Sequence, residues 1–335
     1  MKTTRFSLSI LFLLLGAPQV RAAPPCVKQC EELEEKGELR SGVSPQGCLV
    51  RVCQQEARRL YEENEFDKAL ESLDYLDEKL EQSPTYQLDR GKLYYALGRF
   101  PEALASFERI LRGFPRNVRA ASQRGHTLLR LGRYDAARAQ FEKLLEDPAT
   151  QGEFKRLNTH SYLRGNIGVL KLLQGDAEAG KAELDRALKI DGRNKTARLY
   201  REEVVPYLEA ETLGPDGVMQ LLVAYEEVSF QRFVPAAKEL QKLIQRWPLF
   251  SPGYRRLAQI LTSYHEYESC EVALALGEKY LPDDVDLRAE RLRCALLRIG
   301  PTTKEARPAL AEVRALAEAH PENERLKQIL VALDR

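Results

Sequence analysis

The sequence predicts an all-α solenoid of about seven helix-turn-helix units, preceded by a disulfide-stapled helical hairpin and followed by a capping helix. Three observations support this fold class: an internal repeat of 34 residues, apolar side chains at helical spacing within each repeat, and four cysteines near the N-terminus. A fixed period in this range is typical of stacked helical units, because each unit buries its apolar face only against its neighbours.

The repeat is visible in two parts of the chain. In the first part, small and aromatic residues recur after 34 positions, as Gly91, Gly98, Ala103 and Phe107 and again as Gly125, Gly132, Ala137 and Phe141. In the second part, the recurring residues are Ala224, Ala236, Leu240 and Pro248 and then Ala258, Cys270, Leu274 and Pro282.

Each position of the unit has a physical reason. Gly98 is predicted to end the first helix, where the turn needs a positive φ. Pro101 opens the second helix, because its missing N–H would have no partner in the first turn. Ala103, Phe107 and Ile110 then form a stripe at helical spacing, which we expect to be buried.

This arrangement resembles the tetratricopeptide repeat family, in which a small residue, an aromatic, a glycine and a small alanine recur in this order. The resemblance covers most of residues 50–321, and residues 84–117 match it fully. It implies a right-handed superhelix whose first helices line a concave groove that binds a protein or peptide. The repeat is interrupted at residues 151–160 and 195–216.

The N-terminus has the pattern of a cleaved signal peptide. Lys2 and Arg5 precede an apolar run of about ten residues, which is shorter than the roughly 20 residues that a spanning helix needs. Small residues at Val20-Arg21-Ala22 predict cleavage after Ala22. No later stretch is apolar enough to span a membrane, so we expect an exported protein, periplasmic or secreted, without a transmembrane segment in the mature chain.

The predicted organisation has six segments. They are a signal peptide at 1–22, a cysteine-rich helical segment at 23–49, an N-terminal repeat block at 50–194, an inserted helical linker at 195–216, a C-terminal repeat block at 217–321 and a capping helix at 322–335.

Six cysteines in the chain agree with an oxidising compartment. The pairs Cys26 and Cys30, and Cys48 and Cys53, are each about one helical turn apart, and a turn-forming stretch separates them. Two antiparallel helices joined as Cys26–Cys53 and Cys30–Cys48 fit this spacing. A zinc site of four thiolates is the alternative, although such sites usually have two C-x2-C pairs.

Cys270 and Cys294 lie on helices that the resemblance places in contact, the second helix of one unit and the first helix of the next. Either a disulfide or two buried thiols would fit there.

The composition and motifs argue against catalysis and against nucleic-acid binding. With 51 basic and 50 acidic residues the chain has no charge excess to attract a polyanion. The four histidines lack metal-ligand spacing, and no phosphate loop or nucleophile elbow occurs. We therefore predict no catalytic residue, no cofactor and no metal.

The resemblance places candidate groove residues on the first helices of the units. They are Arg58, Tyr61, Lys92, Tyr95, Arg119, Gln123, His126, Arg130, Leu221 and Tyr225. Basic side chains and tyrosines suit an acidic peptide or a terminal carboxylate, while an ordinary solvated helix surface is the alternative. The central positions are apolar (Val169, Leu172, Leu173, Val218, Leu221 and Leu222), so this part of the groove either receives a partner or is filled by residues 195–216.

Together these features predict a non-enzymatic scaffold or adaptor that binds a protein or peptide in the groove during assembly of an envelope complex. The alternatives are a rigid spacer that binds through its ends or convex face, and a glycan-associated accessory. Neither the partner nor the oligomeric state can be predicted from the sequence.

Overall fold

The computed structural model describes residues 23–38, 44–79, 84–146 and 159–333, and all regular structure in these ranges is helical. The helices are α1 (Pro25–Glu35), α2 (Pro45–Glu62), α3 (Phe66–Lys79), α4 (Pro84–Ala96), α5 (Phe100–Gly113), α6 (Val118–Arg130), α7 (Tyr134–Glu146), α8 (Thr159–Leu173), α9 (Ala177–Ile190), α10 (Lys195–Leu199), α11 (Val205–Glu209), α12 (Pro215–Ser229), α13 (Phe233–Arg246), α14 (Ser251–Ser263), α15 (Tyr267–Tyr280), α16 (Val285–Ile299), α17 (Arg307–Ala319) and α18 (Glu324–Leu333). The predicted all-α fold is thus confirmed. The predicted signal peptide and most of the interruption at 151–160 lie outside the described residues.

Seven helical hairpins have a residue with a positive φ between the first and the second helix: Asn64, Gly98, Gly132, Gly175, Gln231, His265 and Gly300. In the first six the second helix begins two positions later, whereas a longer connection separates Gly300 from α17, which begins at Arg307. A left-handed residue at this position lets the chain reverse, and glycine adopts it without steric cost. The turns mark the predicted units, including those in which the glycine is replaced.

The chain divides into two compact units, residues 1–106 and 107–335, and the boundary falls within α5. In the first unit α1 packs on α2, α2 on α3 and α3 on α4. Disulfides join Cys26 to Cys53 and Cys30 to Cys48, with Cα–Cα distances of 5.0 Å and 6.1 Å. All four cysteines are buried, so the predicted stapled hairpin is confirmed in its pairing as well as in its position.

In the second unit the helices of a hairpin approach each other where a glycine lies on the first helix. A Cβ atom built on Gly125 of α6 would lie 2.5 Å from Cε1 of Phe141 on α7, and one on Gly168 of α8 would lie 2.8 Å from Cγ of Leu184 on α9. The side chain of the second helix therefore rests directly on the backbone of the first. This close crossing is the physical reason for the recurring spacing of glycine and large apolar residue within the repeat.

The segment between α9 and α12 is an additional helical layer. Its residues Tyr200, Val204 and Val205 are buried, and it packs on α8 and α9. A π-helical turn at Tyr200–Val204 joins α10 to α11. The turn precedes Pro206, which has no N–H to continue the regular ladder, and a widened turn is a known response to such an interruption.

The C-terminal helix α18 closes the array. Leu326 and Ile329 of α18 are buried in one apolar cluster with Leu292 of α16 and Val313 of α17. A terminal helix of this kind covers the apolar face that the last hairpin would otherwise expose, as predicted. Within the described residues, none of the helices combines the length and apolarity needed to cross a membrane.

A third disulfide joins Cys270 of α15 to Cys294 of α16. Both cysteines are fully buried, and the hydroxyl of Thr262 on α14 lies 3.6 Å and 3.7 Å from their sulfur atoms. Of the two arrangements that the sequence left open here, the structure shows the disulfide.

Candidate functional site

The candidate site has one part in each compact unit, formed by side chains of the first helices of the hairpins, and we call these parts the first-helix surface. In the first compact unit these helices are α2 and α4, and in the second they include α6, α8, α12 and α14. The two parts are described separately.

On α2 and α4, the predicted groove residues contact one another and their own hairpins. The guanidinium of Arg58 donates to Oδ2 of Asp89 from Nε at 3.1 Å and Nη2 at 3.0 Å. Tyr61 and Tyr95 each pack against the aromatic residue that opens the following helix, with ring centroids 5.2 Å and 5.3 Å apart. The charge of Arg58 is therefore already compensated within the protein.

Lys92, the remaining candidate of this part, is half-buried on α4. It forms no ion pair with any residue that the structure describes.

Four candidates of the second unit share one face of α6. Arg119, Gln123, His126 and Arg130 follow at steps of four, three and four residues, which is one stripe of an α-helix. Arg119 is exposed, whereas Arg130 forms an ion pair with Glu226 of α12, and both side chains are less than one fifth exposed. This contact joins two first helices that are 96 residues apart in sequence.

The imidazole of His126 links α6 to α8. Its Nδ1 lies 2.9 Å from the carbonyl oxygen of Ser122, and its Nε2 lies 2.9 Å from the hydroxyl of Tyr162. Both contacts suit a neutral ring that donates from Nδ1 and accepts from the tyrosine. Burial of His126 lowers its pKa below the ordinary value of 6.5, which also favours the neutral form.

Tyr225 and Arg256 link α12 to α14. The guanidinium carbon of Arg256 lies 5.8 Å from the ring centroid of Tyr225, and its Nη2 donates to both carboxylate oxygens of Glu203 at 2.8 Å. Burial raises the pKa of Tyr225 well above that of a free phenol, so the hydroxyl stays protonated. Glu203 belongs to the π-helical turn, and the inserted segment therefore supports this part of the surface.

A pocket of about 320 Å³ lies between α12, α13 and α14. It is lined by Ala224, Tyr225, Val228, Phe233, Leu240, Arg256, Gln259, Ile260 and Ser263. Most of this lining is apolar, with a few polar groups, and its volume is within the range of about 300–1,000 Å³ that is usual for ligand pockets. Of its residues only Tyr225 was a candidate from the sequence, although Gln259 occupies the same position one repeat later.

The apolar centre of the predicted groove is closed. Val169, Leu172, Leu173, Val218 and Leu221 are all buried, because α12 packs on α8 and Leu213 of the inserted segment lies against Gly217. Leu221 is only 1% exposed. Its prediction as a groove residue is therefore wrong, since a bound partner could not reach its side chain.

In the described part of the chain, no group of three or more histidine, cysteine or acidic residues could hold a metal ion. His126 acts in the contact between α6 and α8, and His265 occupies a turn, where its Nδ1 lies 2.7 Å from the hydroxyl of Tyr267.

Comparison with known proteins gives a family match over part of the chain. Residues 88–153 match the tetratricopeptide repeat family. No curated protein matches the sequence.

Several solved structures of tetratricopeptide repeat proteins are similar to this one. A protein from Parabacteroides merdae is 14% identical with a TM-score of 0.39, and the match covers 86% of this chain and 99% of that protein. The C-terminal part of a protein from Cytophaga hutchinsonii is 15% identical with a TM-score of 0.39, covering 82% and 98%. A protein from Thermus thermophilus is 20% identical with a TM-score of 0.34, covering 64% and 100%.

The described residues show the repeated helical hairpin directly, through seven turns that each contain a residue with a positive φ. The match at residues 88–153 shows that this part of the chain consists of tetratricopeptide repeats.

Proposed function

We propose that this protein is a non-enzymatic scaffold or adaptor that binds an extended segment of a partner protein along its first-helix surface. Members of the family generally mediate protein–protein interactions and assembly. The observation that carries the proposal is the pocket between α12, α13 and α14, which adjoins the polar side chains of Tyr225, Arg256 and Gln259. An apolar pocket beside a few fixed polar groups is the usual arrangement for anchoring one side chain of a peptide.

The ion pairs of the surface refine the chemistry of the expected partner. Arg58, Arg130 and Arg256 are paired with Asp89, Glu226 and Glu203 within the protein. An acidic peptide would have to compete with these carboxylates, so its charge adds less affinity than a count of arginines suggests. An apolar anchor residue, supported by hydrogen bonds to its backbone, is therefore the better match.

The proposed setting is the cell envelope or the exterior, with a role in the assembly of an envelope complex. Three disulfides suit an oxidising compartment. The export prediction is tested by the intact mass of the protein recovered from cells that express the full-length chain. The expected mass corresponds to a chain that begins at Ala23 and has no alkylatable thiol; a chain that retains Met1 and free thiols would contradict export.

The binding proposal is tested by filling the pocket. Ser263 lines the pocket and is exposed, so Ser263→Trp should block it without disturbing the core. Peptides selected on the wild-type protein from a random library should bind this variant at least about 10-fold more weakly. Gln241→Trp, on the exposed face of α13, is the matched control and should bind them as the wild type does.

Two results would overturn the binding proposal. Either the library yields no peptide that binds the folded protein, or the selected peptides bind Ser263→Trp and the wild type equally well. In both cases the alternative, a rigid spacer that binds through its ends or convex face, would take its place. One feature of the second helices, the solvent-facing side of α15, gives that alternative a specific surface.

A further inference from the structure

Helix α15 presents an apolar stripe to solvent. Val272, Leu276 and Tyr280 follow at steps of four residues, and their side chains are 66%, 42% and 46% exposed. Steps of four residues place side chains on one face of a helix. Large apolar side chains that are grouped in this way, rather than scattered singly, indicate an interaction surface.

The residues of this stripe can be compared with those at the same positions one repeat earlier. One repeat earlier, on α13, the equivalent positions are occupied by Lys238, Lys242 and Arg246, and all three are exposed. At these positions α13 therefore has three cations where α15 has three apolar residues. Packing within the array does not need apolar residues at these positions, because α13 packs into the same kind of hairpin without them.

The other faces of α15 are occupied. Its Cys270, Leu274 and Gly277 are buried, and Cys270 is bonded to α16. One flank forms ion pairs with α16, through Glu271 with Arg298 and Glu278 with Arg291. The stripe at Val272, Leu276 and Tyr280 lies on a different side of α15 from these contacts.

We infer that this stripe, with Glu268 and Lys279 beside it, is a self-association surface that binds the α15 helix of a second copy in antiparallel orientation. Two antiparallel copies of α15 place complementary residues opposite each other when their centres meet at Leu274. With a two-fold axis there, Val272 meets Leu276 of the second copy. At each end of the pair, Glu268 of one copy lies opposite Tyr280 of the other and within one turn of its Lys279. The two-fold symmetry therefore produces two contacts between opposite charges.

The size of the surface determines how strongly two copies are expected to associate. Glu268 and Lys279 are both exposed and about 16 Å apart along the helix. A pair of single helices of this length buries less than the roughly 1,200 Å² of a stable interface. Association is therefore weak and concentration-dependent, and it would matter most where several copies are held close together.

Sedimentation velocity of the purified, oxidised full chain from about 10 µM to about 500 µM tests the inference over the range of weak interfaces. The wild type should shift toward twice the monomer mass with rising concentration. Leu276→Lys, which installs the residue that α13 carries, should weaken association at least about 10-fold. Lys242→Gln on α13 is the matched control and should behave as the wild type.

Exchanging the charges of Glu268 and Lys279 tests whether the partner is a second copy of this chain. Glu268→Lys alone should weaken association, and combining it with Lys279→Glu should restore association, since both partners of each ion pair then change sign. Only a second copy of this chain can produce that restoration. A wild type that stays monomeric at the highest concentration, or a dimer that Leu276→Lys leaves unchanged while circular dichroism shows both proteins folded, would overturn the inference.

Discussion

Replacing Gly125 with alanine adds one methyl group at the place where α6 crosses α7. The new Cβ would lie 2.5 Å from Cε1 and 2.7 Å from Cζ of Phe141. Carbon atoms normally approach to about 3.5–4.0 Å. The ring of Phe141 or the helix itself therefore has to move by about 1 Å, and Phe141 is fully buried.

Two opposing effects determine the size of the change. Alanine is the better helix former by about 1 kcal/mol, which favours the variant. Overpacking of a well-packed core costs about 1–3 kcal/mol, and a contact as short as this one belongs at the upper end of that range. We expect Gly125→Ala to destabilise the protein by about 1–2 kcal/mol.

Urea denaturation followed by circular dichroism measures the change, with the disulfides kept oxidised. Because a long repeat array need not unfold in one step, hydrogen exchange of the α6 and α7 amides should accompany it. Gly113→Ala is the control: no atom lies within 4 Å of its added Cβ, and its φ is not in the left-handed region. That control should be neutral or stabilising by up to about 1 kcal/mol.

The double variant Gly125→Ala with Phe141→Leu provides a check on the mechanism. A smaller side chain at position 141 makes room for the methyl group, so the combined loss should be smaller than the sum of the two single losses. If Gly125→Ala is as stable as the wild type, or if the two losses simply add, the proposed close contact between the helices is wrong.

Three further perturbations test separate parts of the structure. Gln231→Gly relieves a left-handed residue with φ of 57°, and should raise the denaturation midpoint by the equivalent of about 1 kcal/mol; a lower midpoint would argue against strain at this turn. Because burial lowers the pKa of His126 below the unfolded value of 6.5, its neutral form stabilises the fold above about pH 6.5, and this contribution is lost as the pH falls below 6.5. His126→Gln should remove up to about 1.4 kcal/mol per pH unit from the acid-side slope of stability, measured by urea titrations at several pH values, and an unchanged slope would exclude His126 as its source. Replacing Cys26 and Cys53 together with serine should cost about 2–5 kcal/mol of stability and lower the melting temperature, whereas an unchanged melting temperature would show that this disulfide is dispensable.

The features that could be predicted from the sequence are those that depend on local chemistry. Gly98 and Gly132 mark turns because a positive φ is a property of one residue, and the pairing of Cys26 with Cys53 follows from helical spacing within one hairpin. The periodic pattern also identifies which face of each helix is buried. Because this pattern recurs in every repeat, it can be recognised even where a single position differs, such as His265 in place of the turn glycine.

The contacts that define the candidate site could not be predicted in this way. Arg130 pairs with Glu226 and Arg256 with Glu203 because an inserted layer changes which helices become neighbours, and periodicity gives the face of a residue but not its partner. Leu221 shows the same limit: its position in the repeat is that of a groove residue, yet the packing of α12 on α8 buries it.

Site-specific photocrosslinking in cells that express the full chain shows whether the first-helix surface binds a protein partner. A photoreactive residue is placed at Gln259, which lines the pocket, and in a second strain at Gln241, on the exposed face of α13. We expect a discrete protein adduct from position 259 and none from position 241. An adduct from position 241 with none from position 259 would contradict it.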